Sequence, residues 1–165
     1  MPEAEPLVSS FRARYAAASV ARAMPAHITL SIPYVPAAWL DGASIAPARD
    51  HFRGVEPFDA EFVAVGRFDE HVWLAPAPTE RFVELIRATC RWYPESPYGT
   101  EFPEPVPHLT VGQASEEVTL DAILRAAEVE LAPKLPVAFR AAAATLLVEQ
   151  ADGMWEQAVV LPFGP

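Results

Sequence analysis

His27-Ile28-Thr29-Leu30 and His108-Leu109-Thr110-Val111 are two copies of one pattern, a histidine and a threonine each followed by an aliphatic residue. Proline precedes both, as Pro25-Ala26 and as Pro107. Side chains alternate between the two faces of a β-strand, so each copy predicts a strand with His and Thr on one face and the aliphatics in the core. Ser and Thr together number 14 of the 165 residues and His only 4, so composition alone does not explain two matching tetrapeptides.

Outward from the motifs, Leu7, Val8, Phe11 and Tyr15 recur at near-helical spacing over Pro6 to Tyr15, and an Ala-rich stretch leads to Met24-Pro25. Residues 26–32 read as the first motif strand. Pro33 to Val55 is punctuated by Pro and Gly, with one or two helical turns around Ala48 to Phe52. Phe58, Ala60 and Phe62 alternate with Asp59 and Glu61, which predicts a strand to Phe68, a turn at Asp69-Glu70 and a return through Val72-Trp73-Leu74. Thr79 reads as a helix N-cap, followed by Phe82, Ile86, Cys90 and Tyr93 on one face.

Five of the 14 residues from Pro94 to Pro107 are proline, which predicts a stiff, irregular loop that walls the site. After a strand over 108–113, a helix is expected over Val118 to Leu131. A long strand from Leu135 to Glu149, a turn at Asp152-Gly153 and a last strand from Trp155 to Phe163 complete the chain. Each half thus carries a His-x-Thr strand, a helix and a hairpin with a Trp just beyond its turn, Trp73 or Trp155. The expected fold is α+β and bilobal, a single domain of two lobes over residues 1–165. Two pseudo-symmetric, mainly antiparallel sheets carry helices on their outer faces, and the motif strands meet at a central cleft.

A chain of 165 residues is about one domain and buries roughly 70% of its unfolded surface, so its core needs no staples. One cysteine, Cys90, excludes an internal disulfide and reads as a small core residue. The N-terminal segment lacks the basic and apolar regions of a signal peptide, and no uncharged apolar run reaches the roughly 20 residues of a membrane helix, which together read as cytoplasmic. A net charge of -10 repels long RNA and acidic membranes, so no extended nucleic-acid or membrane partner is expected. Eleven of the 12 basic residues are Arg, the better bidentate phosphate ligand, although a coding bias explains the same preference.

Two facing imidazoles suit a reaction that takes a proton on one side and gives one on the other, since His titrates near neutral pH. Two hydroxyls beside them suit the non-bridging oxygens of a phosphoryl group. No metal or other cofactor is required for that chemistry. His51 and His71 lack the pattern and read as surface residues, and the spacing 27, 51, 71, 108 matches no compact metal-ligand motif. Asp59 and Glu61 read as a solvated strand face, outside the site.

Pro25-Ala26-His27-Ile28-Thr29-Leu30 with Pro33-Tyr34, and Ser96-Pro97-Tyr98-Gly99 leading to Val106-Pro107-His108-Leu109-Thr110-Val111, resemble the two-histidine phosphoesterases, in particular the bacterial 2'-5' RNA ligase-like and cyclic phosphodiesterase members. The resemblance implies a bilobal fold and metal- and ATP-independent chemistry on 2',3'-cyclic phosphates or 2'-5' phosphodiesters. It makes His27 and His108 the acid and base, and Thr29 and Thr110 the phosphate ligands. It also implies a strand ahead of the first helix. The sequence lacks one there, so either the start lies upstream or the first sheet is one strand short.

Tyr34 and Tyr98 lie close enough to the motifs to stack on a base, or to be buried under a loop. The expected substrate is a small nucleotide or RNA terminus bearing a cyclic phosphate, opened by hydrolysis, with 2'-5' ligation as the reverse reaction. Two other classes compete: a non-catalytic module that binds a nucleotide or phosphometabolite, and a hydrolase of a non-nucleotide cyclic phosphate.

Overall fold

The computed structural model describes residues 4–34, 40–91 and 104–164. It is an α+β protein with two sheets, one of four strands and one of two, and its chain divides into two compact units. The first comprises Met1–Thr29, Ala60–Glu80 and Pro107–Phe139, and the second Leu30–Asp59, Arg81–Val106 and Arg140–Pro165.

In the first unit the four-stranded sheet runs in the order β3-β2-β1-β4, with β1 Phe58–Arg67, β2 His71–Ala77, β3 Leu109–Gln113 and β4 Val137–Ala141. β1 and β2 form the expected antiparallel hairpin, and β2 pairs antiparallel with β3. Burial alternates strictly along β2, with Val72, Leu74 and Pro76 inside, as period-2 geometry requires. Helix α1 (Glu5–Tyr15), followed by the short α2 (Ala17–Ala21), and helix α5 (Leu120–Glu130) pack on this sheet. Val8 and Phe11, Phe62, Leu74, Leu109, Val111 and Ile123 make its core, each at most 1% exposed. Gly112 permits the close approach, because a Cβ there would lie 2.5 Å from Ile123 and 3.2 Å from Tyr15. The expected second helix starts where Thr119 caps it, its hydroxyl accepting from Ala122 N at 3.3 Å.

The second unit contains α3 (Gly42–Arg53), most of α4 (Thr79–Cys90) and the antiparallel hairpin β5 (Ala143–Glu149) and β6 (Trp155–Pro162). Its core gathers Ala48, Phe52, Leu85, Leu161 and Phe163, with the Phe52 and Phe163 rings stacked at 5.5 Å. α3 is three turns long where the sequence suggested one or two. Asp41 and Ser44 form a reciprocal capping box that starts it, and it continues past Pro47. Thr79 is the first helical residue of α4 rather than its cap, since its hydroxyl donates to the Pro76 carbonyl at 3.0 Å. Phe82, Ile86 and Cys90 take the inner face as expected, while Tyr93 lies outside the described residues.

Two expectations change. The single strand expected over 135–149 breaks at Ala142 into β4 and β5, which belong to different sheets. The first motif forms no strand: residues 26–32 are irregular, so only the second motif sits on the ladder.

Candidate active site

The second motif is held by the sheet. Pro107 is buried, Leu109 and Val111 are fully buried in the core of the first unit, and Thr110 pairs with Trp73 across the ladder. The register then slips: Trp73 faces Thr110 but Val72 faces Gly112, so β3 carries one extra residue. This bulge lets Thr110 and Gln113, three apart and otherwise on opposite faces, line the same cavity. His108 is flanked by rings, edge-on to Phe68 at 4.9 Å and tilted to Trp73 at 6.1 Å.

The first motif is held by α1 instead. The Arg12 guanidinium donates to the Met24 carbonyl at 2.9 Å, and the Glu5 carboxylate accepts from Ala26 N at 3.2 Å. The segment before His27 is thus pinned at two points without a strand. His27 Nδ1 lies 2.8 Å from the Pro25 carbonyl, which can only accept, so Nδ1 carries the proton. In the neutral ring Nε2 is then an acceptor, and the Thr29 hydroxyl donates to it at 3.1 Å. Burial pushes the His27 imidazolium below the ordinary histidine range. The Pro25 carbonyl opposes that shift, and the charges of Arg12 and His108 add to it. His27 is therefore neutral at pH 7, with its basic nitrogen defined.

The His and Thr of both motifs lie in the first unit and line one cavity of about 180 Å³. His27, Thr29, His108 and Thr110 share it with Arg12, Ser19, His71 and Gln113, over Ala16 and Met24. No carboxylate is among these lining residues, in a chain of net charge -10. The arrangement offers an acceptor imidazole, a second imidazole, hydroxyl donors and one permanent cation.

Arg12, Ser19, His71 and Gln113 were not legible as site residues in the sequence. His71 is half-buried and lines the cavity instead of lying free on the surface. It pairs with Gln113 across the ladder, two residues from Trp73 on the same face. Arg12 had a signal: it falls four residues after Val8, on the apolar stripe of α1, where a charge is out of place.

Tyr34 belongs to the second unit, packed against its core with its hydroxyl donating to the Ser44 carbonyl at 2.8 Å. Tyr98 and most of the Pro94–Pro107 loop lie outside the described residues. His51 sits on α3, half-buried beside Phe52, rather than fully on the surface. Cys90 is buried, and that burial raises its thiol pKa, as expected of an unreactive core cysteine. Among the described residues no group of three or more His, Cys, Asp or Glu could hold a metal ion. None of the described helices is long and apolar enough to cross a membrane.

An α+β fold with two His-x-Thr motifs on one cavity fits the two-histidine phosphoesterases that the sequence resembles. A family model for the 2'-5' RNA ligase superfamily matches residues 2–153, both motifs included, and the chain belongs to that superfamily. Membership supports an activity of phosphoesterase or ligase type. No curated protein sequence matches the chain.

Proposed function

We propose that this protein is a cyclic phosphodiesterase that opens 2',3'-cyclic phosphates of small nucleotides or RNA ends, with 2'-5' ligation as the same ring opening when a ribose 5'-hydroxyl takes the place of water. The observation that carries the reading is the convergence of His27, Thr29, His108 and Thr110 on one cavity, with no carboxylate among the described residues that line it. Its volume of about 180 Å³ lies below the roughly 300–1,000 Å³ of pockets that enclose a drug-sized ligand, which suits a phosphate and part of its ribose. The net charge of -10 favours a small substrate over folded RNA.

His27 is the general base for hydrolysis. Its Nε2 lone pair receives the proton of the attacking water, at the point where the Thr29 hydroxyl now donates. The new bond forms between that water oxygen and phosphorus. The bond to one ribose oxygen breaks, and His108 as imidazolium gives that oxygen its proton. The product is a phosphomonoester with a free ribose hydroxyl; with a 5'-hydroxyl as the attacking group the same proton transfers break the bond to the 3'-oxygen and leave a 2'-5' diester. Thr110, and Thr29 once turned from Nε2, hold the non-bridging oxygens.

The test is hydrolysis of a panel of 2',3'-cyclic nucleotides in excess chelator, following the phosphomonoesters. Wild-type turnover should fall by roughly 10²–10⁴ in His27→Ala and in His108→Ala, the usual worth of a general acid or base. Turnover that survives both substitutions, or wild-type binding without turnover, would sink the reading. The second result would point to a binding module.

A further inference from the structure

Among the described residues, Arg12 is the one permanent charge lining the cavity. Its side chain is 7% exposed, on the helix stripe that also carries the buried Val8 and Phe11. Burying a guanidinium is costly unless it is paired and its donors are satisfied. Neither condition is fully met among the described residues. One terminal nitrogen donates to the Met24 carbonyl. The other lies 4.0 Å from Glu5, a carboxylate 41% exposed whose Oε1 already accepts from Ala26 N. Nε is buried and has no hydrogen-bond partner. Fastening Met24 needs a single N–H, which a neutral amide could supply, so that bond does not explain a buried cation. Burial lowers the Arg12 pKa and Glu5 opposes the shift, yet a guanidinium stays charged at any physiological pH.

From this geometry we infer that Arg12 is the anion-binding residue of the cavity: its guanidinium takes up the charge of the phosphoryl group on which the two imidazoles act. The inference rests on the reading of the cavity as a phosphoester site and adds the group that draws an anion into an acidic protein. A phosphoryl oxygen beside the guanidinium supplies the missing counter-charge, in the charge-assisted geometry at which Arg excels.

Inorganic phosphate is the probe, titrated into the full-length ¹⁵N-labelled protein while the Arg12 Nε–H and the His27 and His108 imidazole resonances are followed. All three should move together with one dissociation constant. Arg12→Gln should weaken phosphate binding by about tenfold or more, as expected for loss of a charged hydrogen-bond partner, and Arg12→Lys should recover most of it. In the cyclic-nucleotide assay Arg12→Gln should raise KM more than it lowers kcat, a split that a purely structural role would not produce.

Imidazoles that shift with phosphate while the Arg12 Nε–H stays still would overturn the assignment and leave the phosphoester site standing. So would wild-type phosphate affinity in Arg12→Gln. Phosphate that moves none of the three resonances would remove the site and the assignment together. If Arg12→Gln does not fold, the Nε–H of the wild type still decides.

Discussion

Gly66→Ala tests how the sheet positions His108. Gly66 is paired with Trp73 across the β1–β2 ladder, and the indole lies over it. An added Cβ would stand 2.3 Å from Cη2 and 2.5 Å from Cζ2 and Cζ3, where ordinary contact begins at 3.4 Å. The ring must therefore retreat by at least 3.4 minus 2.3, or 1.1 Å. Two other rings adjoin it: Phe68 sits at 5.1 Å from it and His108 at 6.1 Å, and those two rings are themselves in edge contact. Overpacking of this kind costs about 1–3 kcal/mol, and 1 kcal/mol shifts Tm by roughly 2–4 °C in a chain of this size, so a fall of about 2–12 °C is expected. Because the indole transmits the displacement, the His108 imidazole resonances should shift even though residue 66 does not line the cavity. Gly42→Ala is the control, with nothing within 4 Å of its added Cβ, and its Tm should hold or rise. A Gly66→Ala protein that melts within 1 °C of wild type with unmoved His108 resonances would refute this account.

His27 gives a pH signature in stability. Its folded pKa lies below the unfolded value near 6.5, so between the two the unfolded chain binds more protons and stability falls as pH drops. Above about pH 6.5 both states are neutral and the contribution is flat. Urea unfolding at a series of pH values should therefore show a steeper acid-side loss in wild type than in His27→Gln, and identical slopes would contradict the assigned burial. The two motifs also differ in what stands behind them. Leu109→Ala should cost about 2–5 kcal/mol, because Leu109 is fully buried, whereas Ile28 is only partly buried and Ile28→Ala should cost less. Denaturant midpoints decide this, and the reverse order would mean that the first motif is the better braced.

The burial of Leu109 and Val111 against the partial burial of Ile28 and Leu30 marks the limit of the symmetry legible in the sequence. Two tetrapeptides of one pattern carry similar local preferences, and those fit a strand in both places. A strand also needs a partner whose N–H and C=O groups complete its ladder. β2 supplies one for the second motif, and α1 holds the first through the carboxylate of Glu5 and the guanidinium of Arg12. The full length of α3 was hidden for a local reason: Pro47 reads as a breaker, while the capping box that outweighs it depends on two side chains reaching each other.

The sequence by itself determined the α+β class, the hairpins, both principal amphipathic helices and the four motif residues, because period, turn chemistry and a repeated pattern are local properties. Tertiary structure alone decided that the His and Thr of both motifs belong to one unit and that a bulge brings Gln113 round to Thr110. It alone turned His71 and Arg12 from a surface residue and a helix charge into walls of the cavity. Those are facts of register and of what packs against what. They depend on partners distant in the chain, and no local preference encodes them.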